Sequence, residues 1–187
     1  MVAESRMMTA YEYELLPETD ARTELIDGEL IVSAEPIPLH QQIAHRLQRA
    51  LGDEAEAREL GEWSPPLSLW ISPYNVYAPD LLFFVTDQLP DRYKPLVTEV
   101  PQIVLEILSP STRATDLIRK RSGYADRGIS EYWIIDPIGK TLIVNIRDER
   151  GVYIEVPMLG TAIPAGLFEG SPLDLPWVFG GARTRNP

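Results

Sequence analysis

The chain has 187 residues, of which 44% are hydrophobic and 24% are charged, and it contains no cysteine. These values are typical of one globular domain, and they exclude disulfides and thiolate metal sites. The net charge of −11 argues against binding nucleic acid through the overall field of the protein, because affinity for phosphate rests on clustered lysine and arginine side chains.

No membrane or targeting segment is predicted. The N-terminus has no apolar run of signal-peptide length, and no uncharged apolar stretch approaches the roughly 20 residues that span a bilayer. We therefore expect a soluble, cytoplasmic protein without membrane contact. We also expect one domain over residues 1–187, with flexible ends at residues 1–8 and 181–187.

Two helices and a β-hairpin are predicted in the N-terminal third. Thr9 is a typical N-cap for a short helix, Ala10–Leu16. The run Thr23–Ser33 predicts a hairpin, since Asp27-Gly28 between two β-prone segments is a strong turn signal. A helix of about 20 residues follows, and its apolar stripe has the spacing of one helical face. That stripe consists of Ile43, Leu47, Ala50 and Leu51.

The remaining two thirds are predicted to be mainly strands. One further helix, Thr115–Arg127, would be capped by Thr115. Just before it, Ser111 and Thr112 fit a capping role better than a nucleophilic one. The predicted strands lie within Pro66–Ile71, Tyr77–Thr86, Pro101–Leu108, Ile129–Asp136, Thr141–Arg147 and Val152–Val156. This order predicts an α/β protein, a mixed β-sheet flanked by α-helices with an N-terminal β-hairpin.

Two carboxylates stand out because each belongs to an apolar strand. Asp80 directly precedes Leu81–Val85, and Glu106 interrupts the aliphatic run Ile103–Leu108. A buried carboxylate is costly unless it is paired or bound to a cation. On neighbouring strands, the two would offer the hard oxygen ligands that Mg²⁺ or Mn²⁺ prefers. The structural alternative is an aspartate at a turn and a glutamate that faces solvent.

The last predicted helix could bring a lysine to this site. In an α-helix each residue is rotated by about 100° from the one before it, and this rotation predicts a buried arc of Leu117, Ile118, Tyr124 and Ala125. Lys120 lies on the flank of that arc, whereas Arg121 lies nearer its middle. A lysine at the margin can reach a carboxylate site while its stem packs on apolar surface; the alternative is a surface lysine.

Several motifs follow one another along the chain. They are Pro79-Asp80, Glu106-Ile-Leu-Ser-Pro-Ser-Thr112, Asp116-x-x-x-Lys120-Arg-x-x-Tyr124 and Gly128-Ile-x-Glu-Tyr-Trp-Ile-Ile-Asp-Pro137. Together with Thr23–Ser33, His40 and Ile163–Phe168, they resemble the Uma-type restriction endonucleases, a bacterial family of the PD-(D/E)XK nuclease superfamily. The resemblance covers most of the chain, and it implies a restriction-endonuclease-like core.

The resemblance also implies roles for individual residues. Asp80 and Glu106 would be metal ligands, and the main-chain carbonyl of Ile107 would complete the set. The superfamily has a lysine two residues after the acid, a position that Leu108 holds here. The lysine's role would therefore pass to Lys120 on the following helix, with Tyr124 supporting it from one turn away.

Supporting residues are also expected. An N-terminal helix often supplies a further acid in such nucleases, but here that helix has none before Asp53. Glu29 on the second hairpin strand is our candidate instead, with Glu24 behind it. His40 would support the site or relay protons, the alternative being a packing or capping role. The residues expected to contact flanking phosphates are Arg113, Arg119 or Arg121.

The resulting hypothesis is hydrolysis of DNA phosphodiester bonds with Mg²⁺ or Mn²⁺, carried out by Asp80, Glu106 and Lys120. Lys120 would orient the attacking water or neutralise developing charge. A homodimer is compatible with the resemblance, and no organic cofactor is expected. One rival is a catalytically silent module that binds nucleic acid or protein, which the charge of −11 favours. Another is a hydrolase acting on RNA or a smaller phosphodiester.

Overall fold

The structure, a computed structural model, describes residues 6–17, 19, 21–33, 36–91, 93–110 and 113–182. Its helices are α1 (Ala10–Glu14), α2 (Pro38–Ala57), α3 (Arg121–Arg127) and α4 (Leu175–Val178). A π-helical segment, Thr115–Lys120, leads directly into α3, and a 3-10 turn covers Thr86–Gln88. Residues 1–5 and 183–187 of the predicted flexible ends lie outside the described residues, as do Ser111 and Thr112.

The strands form two sheets, here called sheet A and sheet B. Sheet A contains β1 (Thr23–Ile26), β2 (Glu29–Val32), β4 (Ser68–Ser72), β5 (Asn75–Tyr77) and β7 (Leu96–Val97). Sheet B contains β3 (Gly61–Ser64), β6 (Leu81–Val85), β8 (Ile103–Ile107), β9 (Glu131–Asp136), β10 (Thr141–Arg147) and β11 (Tyr153–Pro157). The spatial orders are β2-β1-β5-β4-β7 and β11-β10-β9-β8-β6-β3.

Both sheets are mixed, as the sequence predicts. The pair β4–β7 is parallel in sheet A, and the central pair β8–β9 is parallel in sheet B, whereas the other recorded pairs are antiparallel. No helix in the described part of the chain is long and apolar enough to cross a bilayer.

Sheet B lies between two apolar cores. On one face, side chains of α2 and of the C-terminal segment pack on the sheet, among them Leu47 and Phe168. On the other face, residues such as Val104 and Tyr132 pack against sheet A and α3. Because side chains alternate along a strand, Glu106 shares the face of Val104. A carboxylate is thereby placed in the layer between the two sheets.

The predicted hairpin and the long helix are confirmed. β1 and β2 pair across Asp27-Gly28, and both turn residues have left-handed φ angles of 52° and 78°, as a type I′ turn requires. Helix α2 is 20 residues long and buries Ile43, Leu47, Leu51 and Ala55. The N-cap of α1 is also confirmed, because the Thr9 side chain accepts a hydrogen bond from the Glu12 amide.

The buried face predicted for the helix after Ser109 is confirmed for Tyr124, which is fully buried, and wrong for Ile118, which is 70% exposed. Asp116 and Lys120 are buried on this helix as well. Thr115 lies inside the helical run and is not its N-cap. Two physical causes contribute. A search for apolar spacing does not predict a helix face that buries charged side chains. In addition, a π-helical turn contains more residues than an α-helical turn, so the assumed rotation of about 100° per residue does not apply to this segment.

Glu131 is a buried carboxylate with a structural role, and it lies on the face of sheet B that is opposite to Glu106. Its oxygens accept hydrogen bonds from the Leu167 amide at 2.6 Å and the Trp133 indole Nε1 at 2.9 Å. Burial raises its pKa, and these two donors partly offset that effect. Glu131 therefore anchors the segment around Leu167 to sheet B.

Glu131→Ala is expected to lower the free energy of unfolding by about 3 kcal/mol, because it leaves two buried donors without an acceptor. Urea unfolding monitored by circular dichroism measures the change. The exposed Glu149→Ala is the matched control, with an expected effect below about 0.5 kcal/mol. Equal midpoints for the two variants would contradict the anchoring role.

Candidate active site

The candidate site lies between the sheets, where four elements meet. Asp80 immediately precedes β6, and Glu106 lies near the end of the neighbouring strand β8. Glu24 projects from β1 in sheet A. Lys120 ends the π-helical segment that follows β8. All four side chains are at least nine-tenths buried, with exposures of 2–3%.

Asp80 is held by three donors. Its Oδ1 accepts a hydrogen bond from Arg22 Nη1 at 2.7 Å, and its Oδ2 accepts one from the Ile107 amide at 2.7 Å. His40 Nε2 lies 3.2 Å from Oδ2. Burial alone would raise the pKa of Asp80, but the contacts with His40 and Arg22 lower it below its ordinary value. Asp80 is therefore ionised at neutral pH.

The Lys120 ammonium lies among three carboxylates. Its Nζ is 2.8 Å from Glu24 Oε1, 3.1 Å from Glu106 Oε1 and 3.1 Å from Asp116 Oδ1. Burial would lower the pKa of Lys120, but these carboxylates raise it well above its usual range. Lys120 is thus a permanently charged group that joins sheet A, sheet B and its own helix.

Glu106 has a different environment from Asp80. Its Oε1 accepts hydrogen bonds from Lys120 Nζ and from the Tyr124 hydroxyl, the latter at 2.6 Å. Burial raises the pKa of Glu106 to about 8 in spite of Lys120, and the nearby carboxylates of Asp116 and Asp80 add to that rise. The pocket is therefore short of positive charge around Glu106.

The charges in the site fit a divalent cation. Four buried carboxylates (Glu24, Asp80, Glu106 and Asp116) face two cationic side chains, Arg22 and Lys120. When all are ionised, the excess of two negative charges is the amount that one Mg²⁺ offsets.

The donor atoms also suit Mg²⁺, which binds one or two carboxylates and completes its shell with other oxygens. The described residues hold no cluster of three His, Cys, Asp or Glu side chains spaced as a metal site. The family resemblance implies Asp80, Glu106 and the main-chain carbonyl of Ile107 as the protein ligands. Because the amide of Ile107 points to Asp80, and the amide and carbonyl of one strand residue point to the same side, that carbonyl faces the site.

The site opens into a cavity of about 360 Å³. Asp80, Glu106 and Lys120 line it, together with residues of the hairpin and the start of α2. His40, at the start of α2, also lines this cavity and therefore lies at the predicted site. The volume is large enough for a phosphate group and its ester oxygens.

Two predicted supporting residues lie elsewhere. Glu29 is exposed and pairs with Ile26 next to the hairpin turn, so it lies beyond the cluster, and Glu24 takes the place proposed for it. Arg121 donates to the Tyr153 carbonyl at 2.9 Å and lies near Glu155, away from Glu106. The other arginines expected to contact phosphates are ion-paired: Arg113 with Asp136, and Arg119 with Asp27.

Sequence reasoning missed two members of the cluster. A lone arginine at the start of a strand carries no signal, and only the fold brings Arg22 to Asp80. Asp116 did carry one, because its i, i+4 spacing from Lys120 is that of a helical ion pair.

The architecture is the restriction-endonuclease-like fold. It matches a crystal structure described as that of a "putative nuclease belonging to DUF820" from Anabaena variabilis, with a TM-score of 0.77 and 20% sequence identity over 92% of this chain and 97% of that chain. Residues 10–175 match the model of the Uma2 family, whose description is "Putative restriction endonuclease". The chain therefore belongs to the Uma2 family.

A curated relative has also been found. The chain is 28% identical over 140 residues to "Uncharacterized protein sll1609" of Synechocystis sp., covering 73% of this chain and 78% of that protein. The name of this relative carries no functional information. The description of the family therefore supplies the nuclease class.

Proposed function

We propose that the chain is a Mg²⁺- or Mn²⁺-dependent nuclease that hydrolyses phosphodiester bonds of DNA. The observation that carries this proposal is the buried cluster in which Asp80 and Glu106 line one cavity, with four carboxylates facing two cationic side chains. In the reaction, a water oxygen forms a bond to phosphorus while a P–O ester bond breaks. The leaving oxygen takes up a proton, and water supplies it.

Asp80, Glu106 and the Ile107 carbonyl would hold the cation. When bound, Mg²⁺ supplies positive charge that stabilises the charge developing on the phosphate oxygens. Arg22 and the Ile107 amide fix the orientation of the Asp80 carboxylate. His40, next to Asp80, is the group in the cavity best suited to accept or deliver a proton.

Lys120 is a positioning residue in this scheme. Its ammonium contacts three carboxylates, so it acts through its charge and through the orientation of Glu106. Tyr124 donates to the same Glu106 oxygen, Oε1. Both of these hydrogen bonds go to Oε1, and the second carboxylate oxygen, Oε2, is the one proposed to contact the cation.

The direct test is cleavage of supercoiled and linear DNA by the purified protein with Mg²⁺ or Mn²⁺, and with a chelator. Under the proposal, the divalent ion converts supercoiled DNA to nicked and linear forms, and the chelator prevents it. DNA that stays intact in both ions, with protein shown to be folded, would exclude the activity.

Tyr124→Phe is expected to lower the cleavage rate by about 10-fold, because it removes a hydrogen bond that orients a proposed metal ligand. The ring remains, so packing against Tyr77 and Tyr132 is retained. Calorimetric titration should show weaker Mg²⁺ binding, while the melting temperature changes little. Tyr74→Phe, at an exposed residue, is the control and should behave as wild type. Unchanged Mg²⁺ affinity in Tyr124→Phe would contradict the role.

A second candidate is a catalytically silent nuclease-fold module that binds nucleic acid or protein. One observation favours it: Lys120 and both oxygens of Asp80 already have partners within the protein. Calorimetric titration with Mg²⁺ separates the two candidates. The silent module predicts no Mg²⁺ binding, or binding that Glu106→Gln leaves unchanged.

A further inference from the structure

A second, larger groove lies beside the catalytic cavity. It encloses about 1210 Å³, and its wall is formed by α1, the hairpin and the start of β4. Side chains that line it include Tyr13, Leu16, Pro66, Leu67, Ser68 and Leu96. None of the interactions that hold the carboxylate cluster together uses these side chains.

The groove adjoins the cavity at Arg22. Both Arg22 and Val32 line the two spaces. Nη1 of Arg22 donates to Asp80, and Nη2 donates to the carbonyl of Ala78, which lines the groove. A polymer whose phosphate lies at Asp80 therefore has the groove as the space for its neighbouring unit.

The lining of the groove suits a nucleobase better than a phosphate. Among the described lining residues, the charged groups are Arg22, at the junction with the cavity, and Glu14. The rest of the lining is an aromatic ring, aliphatic and proline side chains, and hydroxyls. The Tyr13 hydroxyl contacts the Thr23 carbonyl at 3.0 Å and Ser68 Oγ at 3.3 Å, which fixes the ring. A fixed aromatic ring is a platform for base stacking.

The surroundings of the site do not suit a double helix. The Asp80 and Glu106 side chains are 3% and 2% exposed, so a scissile phosphate has to enter the cavity to reach them. The arginines nearby are paired with Asp136, Asp27 and Glu155, which leaves few cations for phosphates of a duplex. In a duplex the bases are stacked inside and cannot occupy a groove that adjoins the phosphate site.

We infer that the groove binds an unpaired nucleotide next to the scissile phosphate, so that the substrate is single-stranded DNA or an unpaired region of DNA. Tyr13 stacks on the base, and Arg22 marks the point where the backbone passes from the groove into the cavity. This inference rests on the proposed function for the position of the phosphate. The base subsite itself is defined by the groove.

The test compares binding and cleavage of two probes. One is a fluorescein-labelled oligo(dT) of about 12 nucleotides, and the other is the same strand in a blunt duplex with oligo(dA). Fluorescence anisotropy in Mg²⁺, read on mixing, gives the Kd of each, and gel electrophoresis in Mn²⁺ follows cleavage. We expect the single strand to bind about 10-fold more tightly than the duplex.

Tyr13→Leu is expected to weaken binding of the single strand by about 10-fold, because it removes the ring. Tyr11→Leu is the matched control, since Tyr11 lies on the same helix, is 70% exposed and does not line the groove. Equal or tighter binding of the duplex by wild-type protein would overturn the inference whether or not Tyr13→Leu folds. So would a folded Tyr13→Leu that binds the single strand as wild type does.

The two proposals fail in different ways. Cleavage of duplex DNA in preference to the single strand would leave the nuclease activity standing and remove the base subsite. Selective, Tyr13-dependent binding of the single strand without cleavage in either metal ion would support the subsite and remove the nuclease activity.

Discussion

Asp80→Asn and Glu106→Gln are each expected to reduce metal-dependent DNA cleavage by at least about 100-fold. Each change replaces a carboxylate by an amide of the same size, so we expect the fold to be retained. Loss of either carboxylate removes one of the two side-chain ligands proposed for the cation. Calorimetric titration should show Mg²⁺ binding weakened in parallel with cleavage, because both depend on the same oxygens.

The matched control is Glu131→Gln, a buried glutamate on neighbouring strand β9 whose side chain lies on the opposite face of sheet B. It should lose stability but keep the Mg²⁺ affinity of the wild type. If Glu131→Gln lowers cleavage as much as Glu106→Gln does when both are folded, the loss reflects the sheet rather than the site. Cleavage at wild-type rates by both Asp80→Asn and Glu106→Gln would exclude them as ligands.

Lys120→Met is expected to destabilise the protein by about 4 kcal/mol, even though the replacement is apolar and of similar length. The ammonium is the shared partner of Glu24, Glu106 and Asp116, which are all 2–3% exposed. Removing it leaves three buried carboxylates facing one another without a cation. Urea unfolding at neutral pH measures the change in the free energy of unfolding.

Lys94→Met provides the comparison, because Lys94 is exposed and its loss should cost less than about 0.5 kcal/mol. Mg²⁺ should also raise the unfolding midpoint of Lys120→Met, since a cation in the cluster offsets part of the repulsion. A Lys120→Met protein as stable as Lys94→Met, with or without Mg²⁺, would show that the carboxylates do not depend on this charge.

Local sequence patterns predict the fold where one face of an element is apolar. The hairpin follows from Asp27-Gly28, and α2 follows from the spacing of Ile43, Leu47 and Leu51. Strands that are short or weakly patterned were missed. β7 has two residues, and β3 depends on pairing with β6. The division of the strands into two sheets depends on pairing between segments that are distant in sequence. Local sequence patterns do not predict such pairing.

The candidate site was predicted in part, for a related reason. Asp80 and Glu106 were visible because a carboxylate in an apolar strand is unusual. Lys120 was assigned mainly through the family resemblance, since its helix buries the charged Asp116 and Lys120 and exposes the apolar Ile118, which an apolar pattern does not predict. Glu24 and Glu29 lie on the same face of the hairpin and differ in their distance from the turn. Which of the two reaches the site depends on how the two sheets pack together, and the sequence pattern does not contain that information.

The Lys120 cluster has a consequence for how the protein responds to its ligand. It joins a residue of sheet A, a residue of sheet B and a residue of the π-helical segment at a single nitrogen atom. Under the proposed function, a cation or substrate that binds in the cavity only when the two sheets are docked would stabilise that docked arrangement. Metal binding, as proposed, and the docking of the two sheets would then depend on the same four side chains, Lys120 and its three carboxylate partners.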